Sequence, residues 1–176
     1  EGPRMRILIV EDEKKLAADL GSALIGSGYV IEQAGDGEAA WFLGDTQIGV
    51  AGQTATAGRG DMKSWPATYA DMHPGAHDAD ARLAYMDQTG IWSMVLYPNV
   101  AGFGSQRFLR LRDDELKLIC VRAYNDFLRD WASADPDRLI TVMTTPFWDL
   151  DAAVAEIERC AATGHRGLLF TGEPWR

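Results

Sequence analysis

The pattern of hydrophobic and polar residues near the start of the chain predicts strands and helices that alternate along the sequence. Residues 5–10 form a short run rich in Ile, Leu and Val, which is typical of a strand buried on both faces. After this run, apolar residues recur at helical spacing as far as Leu24, which predicts a helix. A second strand is predicted over residues 29–34, and residues 38–43 are predicted to begin a second helix. The opening pattern is therefore β-α-β-α.

The middle of the chain lacks this regularity. Residues 44–77 are rich in Gly, Ala, Thr and Pro and show no clear period. A structureless stretch of such length is unusual inside a compact domain, so we predict a loop or a junction here. Regular spacing returns with a helix predicted over residues 78–89, which Gly90 ends.

The later part of the chain again alternates strands with helices. Asp113 is predicted to cap a long helix, and Asp149 a second one that ends at Gly164. Such alternation favours a mainly parallel sheet with right-handed crossovers. The strands predicted in this part are residues 91–97, 139–145 and 167–171.

These elements predict an α/β fold with a mainly parallel, flavodoxin-like sheet of about five strands. The alternative is a partial TIM barrel that oligomerisation completes. The flavodoxin-like form is favoured because a lone chain must cover both faces of a parallel sheet. By segment, we expect an N-terminal βαβα fragment over residues 5–43, a junction over 44–77 and a barrel-like fragment over 78–174. All three could form one integrated domain.

The acidic composition excludes some classes of partner. The 176 residues carry a formal net charge of −9, which disfavours binding to nucleic acid and to anionic membranes. No apolar run is long enough to span a bilayer. The two cysteines, Cys120 and Cys160, lie inside predicted helices and are expected to pack in the core. Unpaired thiols of this kind indicate a reducing compartment, and so a cytoplasmic location.

The three histidines offer few candidates for chemistry. His73 and His77 have the i, i+4 spacing that could place two zinc ligands on one helix face. Pro74 and Gly75 lie between them and argue against a helix. His165 follows a predicted helix end, where a cationic side chain complements the helix dipole. We therefore expect a structural role for His165.

Residues 5–43 resemble the start of a bacterial response-regulator receiver domain through MRILIVEDEKKLAADLGSAL and GYVIEQAGDGEAA. The resemblance implies that Glu11 and Asp12 bind Mg²⁺ beside a phosphoacceptor aspartate, since Mg²⁺ prefers oxygen ligands. The next predicted strand ends at Tyr97-Pro98-Asn99, without the aspartate that the family needs. We expect aspartyl phosphorylation to be lost and Mg²⁺ to bind weakly at Glu11 and Asp12.

About residues 66–174 resemble the metal-dependent amidohydrolase-related TIM-barrel family, which includes aminocarboxymuconate-semialdehyde decarboxylase. The similarity is carried by ARLAYMDQTGIWSMVLYPNVAGFGSQRFL and by CVRAYNDFLRDWASADPDRLITVMTTPFWDLDAAVAEIERCAATGHRGLLFTGEP. It implies an active site at the carboxyl ends of the strands. The His-x-His ligand pair of the family is absent, so we expect no zinc or other divalent metal here and assign no catalytic residue. The residues implied to line a substrate are Tyr97, Asn99, Thr145 and Glu173.

The two resemblances predict a non-catalytic chimeric α/β protein that joins a phosphorelay receiver fragment to an amidohydrolase barrel fragment. One alternative is a metal-dependent hydrolase or decarboxylase of the amidohydrolase type. Another is a Mg²⁺-binding signalling module. Helices from two sources are expected to cover the sheet poorly, so the expected partner is a second copy of the chain, in a homo-oligomer.

Overall fold

A computed structural model of the chain describes four strands before residue 51, together with Pro66 and residues 69–98, 108–109 and 111–170. The chain divides into two compact units, Glu1–Tyr85 and Met86–Arg176.

The first unit contains two pairs of strands. Strand β1 (Arg6–Val10) pairs in parallel with β2 (Val30–Ala34), in a register that places Arg6 opposite Val30. Strand β3 (Ala40–Leu43) pairs antiparallel with β4 (Thr46–Val50). The strands predicted over residues 5–10 and 29–34 are confirmed.

The prediction that a helix begins within residues 38–43 is wrong, because β3 occupies residues 40–43. The aromatic residues Trp41 and Phe42 favour a strand, and only Gly44 and Asp45 separate β3 from β4. Two-residue connections rich in Gly and Asp are typical of hairpins. The pairing of β3 with β4 therefore outweighs the helical propensity of the residues that precede β3. Strand β4 itself lies within residues 44–77, which we predicted as a loop or a junction.

Two short 3₁₀ turns, Tyr69–Asp71 and Pro74–Ala76, precede helix α1 (Ala79–Thr89). The helix predicted over residues 78–89 is confirmed. The Asp78 carboxylate caps it by accepting a hydrogen bond of 2.7 Å from the Ala81 amide. Gly90 follows the helix with φ of 72°, a conformation that favours glycine.

The described residues of the second unit form three parallel strands joined by two helices. Their order is β5 (Met94–Leu96), α2 (Asp114–Ala132), β6 (Leu139–Thr144), α3 (Leu150–Thr163) and β7 (Gly167–Leu169). The sheet order follows the chain, β5-β6-β7, and both pairings are parallel. Hydrogen bonds between side chains of α2 and α3 show that these helices lie side by side.

The predicted helix boundaries in this unit are confirmed at three points. The Asp113 carboxylate accepts from the Leu116 amide at 2.9 Å, and the Asp149 carboxylate accepts from the Ala152 amide at 3.0 Å. Gly164 ends α3 with φ of 109°. Each of these signals depends on residues that are close together in the chain, so it can be predicted from the sequence alone.

The predicted α/β class is confirmed, and the parallel sheet of the second unit has three strands. The described strands form separate sheets of two, two and three strands, so a single five-stranded sheet stays a prediction, as does its flavodoxin-like order. Parallel strands in chain order with adjacent helices are also how consecutive units of a TIM barrel are arranged.

Strand β6 lies at the centre of this sheet, and five of its six residues are buried. Helix α2 packs against β6, and its residues Leu116, Val121 and Leu128 are buried. The neighbouring strands are less covered, since Val95 of β5 and Leu168 of β7 are exposed. The core of the second unit is therefore centred on β6 and α2. No described helix is long and apolar enough to cross a membrane.

Candidate functional site

The three parallel strands of the second unit run towards the same end of the sheet, which we call the carboxyl edge. It consists of the residues that follow β5, β6 and β7: Tyr97, Pro98, Thr145, Pro146 and Phe170. The register places Leu96 opposite Thr141 and Thr144 opposite Leu169, so β5 ends earlier than its two neighbours. Ligands of parallel α/β folds bind at such an edge because the strand-to-helix loops converge there.

The carboxyl edge combines exposed aromatic side chains with a buried base. Tyr97 is 58% exposed and Phe170 is 63% exposed. Pro98 and Pro146 are fully buried, and proline restricts the backbone at both positions. The edge is therefore a stiff backbone that presents two aromatic rings to its surroundings.

Two of the four predicted substrate-lining residues, Tyr97 and Thr145, are placed at this edge by the structure. Thr145 is buried, and its hydroxyl donates a hydrogen bond of 3.0 Å to the Leu169 carbonyl. The hydroxyl thus ties β6 to β7. The other two, Asn99 and Glu173, lie outside the described residues.

Phe147 and Trp148, which follow the carboxyl edge in the chain, form an aromatic cluster with Phe108. The ring of Trp148 lies 5.3 Å from that of Phe147 and 5.4 Å from that of Phe108, both in edge-to-face contact. The Lys117 ammonium lies 4.6 Å from the centre of the Trp148 ring and pairs with Asp114. This lysine is buried, although it lies near the start of α2, where the helix dipole disfavours a cation. Sequence reasoning missed it because the Trp148 ring that it contacts is distant in the chain.

Behind the edge, the Asn125 side chain of α2 binds the last residue of β6. Its Oδ1 accepts from the Thr144 amide at 2.9 Å, and its Nδ2 donates to the Thr144 carbonyl at 3.0 Å. The same Nδ2 donates to Glu156 Oε1 of α3 at 2.9 Å. Asn125 and Glu156 are both fully buried, so this contact links two helices and a strand inside the core.

The buried Glu156 carboxylate is neutralised by arginine. Arg159 donates to its two oxygens from Nε at 2.8 Å and from Nη2 at 2.7 Å, and donates to Asp126 from Nη1 at 2.6 Å. The Arg122 Nε lies 3.4 Å from the same carboxylate. Burial acts to raise the pKa of Glu156, but hydrogen bonds from Arg159 and Asn125 outweigh it and lower that pKa. Glu156 is therefore ionised at neutral pH.

His165 is buried rather than placed as a cation at a helix end. Its Nε2 lies 3.0 Å from the Asn125 carbonyl, and its buried Nδ1 has no hydrogen-bond partner among the described residues. Burial lowers the pKa of His165, and the hydrogen bond to the Asn125 carbonyl opposes this only in part. The neutral ring is favoured, so our helix-dipole interpretation is wrong. A structural role agrees with this placement.

Both thiols are buried in the core, as predicted. Burial raises the pKa of Cys120 to about 12, and burial together with the charge of Glu156 raises that of Cys160 to about 12. A thiol with so high a pKa is a poor nucleophile at neutral pH. Neither cysteine therefore suits covalent catalysis.

The histidine pair does not lie on one face of an α-helix. A 3₁₀ turn separates His73 from His77, and His73 Nδ1 accepts a hydrogen bond of 3.1 Å from the Gly75 amide. Within the described part of the chain, no three His, Cys, Asp or Glu side chains are placed to bind a metal ion. Glu11 and Asp12 lie outside the described residues, so Mg²⁺ binding there stays a prediction.

Comparison with known proteins gives one partial similarity. The chain is 32% identical over 94 residues to the gamma-resorcylate decarboxylase of Rhizobium radiobacter, and equally to that of Rhizobium sp. strain MTP-10005. Each match covers 53% of this chain but 27% of the relative, so the chain spans about a quarter of the relatives' length. No protein-family model matches. The similarity supports the amidohydrolase-like resemblance, and the receiver resemblance of residues 5–43 stays a prediction.

Proposed function

We propose that the second unit is the substrate-binding part of a decarboxylase that acts on an aromatic carboxylic acid. The observation that carries this proposal is the 32% identity over 94 residues with two gamma-resorcylate decarboxylases. It favours the hydrolase or decarboxylase alternative over a non-catalytic chimera. The chimera rests on the receiver-like residues 5–43, which the comparisons do not support.

The carboxyl edge suits an aromatic ligand. The exposed rings of Tyr97 and Phe170 offer offset or edge-to-face contacts to a planar substrate. The buried prolines beneath them hold the edge in one shape before the ligand arrives, so little conformational entropy is lost on binding.

Decarboxylation breaks the bond between the ring carbon and the carboxylate carbon. The electron pair stays on the ring carbon, carbon dioxide leaves, and a proton takes its place on the ring. In this proposal the second unit binds and orients the ring and keeps water from its apolar face. We assign no proton donor to the described residues, and none of them forms a group of three potential metal ligands.

The test is binding and turnover of gamma-resorcylate by the purified chain. Affinity is measured by calorimetry, and turnover by loss of substrate together with release of carbon dioxide. Tyr97→Ala and Phe170→Ala are each expected to weaken binding by roughly tenfold, about 1.4 kcal/mol for a lost aromatic contact.

The matched control is Trp92→Ala. Trp92 is 80% exposed but precedes β5, at the opposite edge of the sheet. Its removal is expected to leave affinity unchanged. Equal losses in all three variants would argue against a site at the carboxyl edge, and no binding by the unmodified chain would refute the proposed function.

A further inference from the structure

We infer that Asn125 is a positioning residue that fixes the carboxyl end of β6 beneath the bound substrate. The inference rests on the proposed function, since it concerns the same edge of the sheet. Asn125 itself is fully buried and belongs to α2, so it acts through Thr144 and not by touching the substrate.

The end of β6 extends beyond its pairing with β5. The paired stretch stops at Leu96, opposite Thr141, while β6 continues to Thr144. The amide and carbonyl of one residue in a strand point to the same side, where a neighbouring strand would normally bond both. The Asn125 amide bonds both of these groups on Thr144, at 2.9 and 3.0 Å. One side chain thus takes the place of a neighbouring strand.

The orientation of the Asn125 amide is dictated by Glu156. An ionised carboxylate only accepts hydrogen bonds, so the atom of Asn125 that faces Glu156 Oε1 must be the donor Nδ2. Arg159 keeps this carboxylate charged and in place through its two hydrogen bonds. Nδ2 then has a second hydrogen for the Thr144 carbonyl, and Oδ1 is left to accept from the Thr144 amide.

The position of Thr144 bears directly on the carboxyl edge. The next residue, Thr145, ties β6 to β7 through its hydroxyl bond to Leu169, just before Phe170. Pro146 and the Phe147–Trp148 pair follow. A shift of Thr144 would therefore move both the base of the edge and the aromatic cluster beside it.

Amide hydrogen exchange in the unmodified chain is the first test, because it needs no variant that might fail to fold. The Thr144 amide is expected to exchange as slowly as the central amides of β6. Rapid exchange at Thr144 would overturn the inference.

The second test compares Asn125→Ala and Asn125→Asp with the control Gly164→Ala. The control adds strain at a φ of 109° at the end of α3, where no atom lies within 4 Å of the added Cβ, so it lowers stability without a collision at β6. Both Asn125 variants are expected to speed exchange at Thr144 and to weaken gamma-resorcylate binding, each roughly tenfold or more. Asn125→Asp should restore neither slow exchange at Thr144 nor binding, because an aspartate side chain cannot donate a hydrogen bond to the Thr144 carbonyl or to Glu156. The control is expected to keep its affinity within about twofold.

The outcomes separate the two proposals. If the unmodified chain does not bind gamma-resorcylate, the proposed function fails, and exchange at Thr144 still decides whether Asn125 fixes the strand end. If the chain binds and a folded Asn125→Ala variant binds equally well, the inference is overturned while the proposed function stands. Weakened binding in the Gly164→Ala control to the same degree would also overturn it, since general destabilisation would then suffice.

Discussion

Arg159 binds Glu156 through two hydrogen bonds, Nε to Oε2 at 2.8 Å and Nη2 to Oε1 at 2.7 Å. The carboxylate is fully buried, whereas about a third of the arginine side chain is exposed. Removal of a partner from a buried pair leaves an uncompensated charge, which costs far more than an exposed pair contributes. This asymmetry makes the contact a sensitive point for the stability of the second unit.

Arg159→Ala is expected to lower the free energy of unfolding by about 3 kcal/mol. Arg159→Lys should lose a large part of the same energy, because an ammonium cannot reproduce the two-point contact of a guanidinium. Urea denaturation measures both. Arg166→Ala is the control, since Arg166 pairs with Asp137 in solvent, where a pair contributes about 0–1 kcal/mol. Equal losses for Arg159 and Arg166 would contradict this account.

Because His165 is buried, we expect the folded chain to lose stability in mild acid. Burial lowers its pKa in the folded chain below the ordinary value of 6.5, so the unfolded chain binds more protons as the pH falls. The stability that the neutral His165 ring contributes is fully present above pH 6.5 and is lost as the pH falls through the folded-state pKa. Charged groups near the ring do not reverse this, because Arg129 and Arg159 lower the pKa further while Asp126 raises it.

The measurement is the free energy of unfolding between pH 8 and pH 5. His165→Gln should remove the decrease below pH 6.5, whereas His77→Gln should retain it. Glu156 acts in a different window: its lowered pKa stabilises the fold above pH 4.5 and that contribution is lost only in stronger acid. A decrease near pH 6 that persists without His165 would show that another group is responsible.

Cys120 and Cys160 are expected to resist alkylation in the folded chain. With a pKa of about 12 for each, roughly one thiol in ten thousand is ionised at pH 8. Both should react with iodoacetamide within minutes in urea and only after global opening in its absence. Mass spectrometry counts the modified thiols. Fast labelling of the folded chain at either position would show that its burial is not maintained in solution.

Gly164→Ala is expected to destabilise the chain by about 1 kcal/mol, because a side chain is strained at positive φ. Its φ is 109°, and no atom within 4 Å would obstruct the added Cβ, so strain and not collision is the cause. Gly167→Ala is the comparison: its Cβ would meet Val142 Cγ2 at 3.4 Å, an ordinary contact. Thermal unfolding should separate the two, and a larger loss at Gly167 would contradict the strain argument.

The boundaries of the helices could be predicted from the sequence because their signals are local. Asp113 and Asp149 cap helices within three residues of themselves, and Gly90 and Gly164 end helices by their own backbone freedom. The same local reasoning failed at residues 40–43, where pairing with β4 decides between helix and strand. Strand pairing is a relation between segments, and residue propensity alone does not reveal it.

By itself, then, the sequence determined the α/β class and the two capped helices of the second unit, whereas the substrate-lining role of Tyr97 and Thr145 stays a prediction. Only the tertiary structure decided that Asn125 and Glu156 are buried partners. Both occur on helices as polar residues that would ordinarily face solvent. They can be buried because their hydrogen bonds and charges are satisfied by groups far along the chain: Asn125 by Thr144, 19 residues away, and by Glu156, 31 residues away.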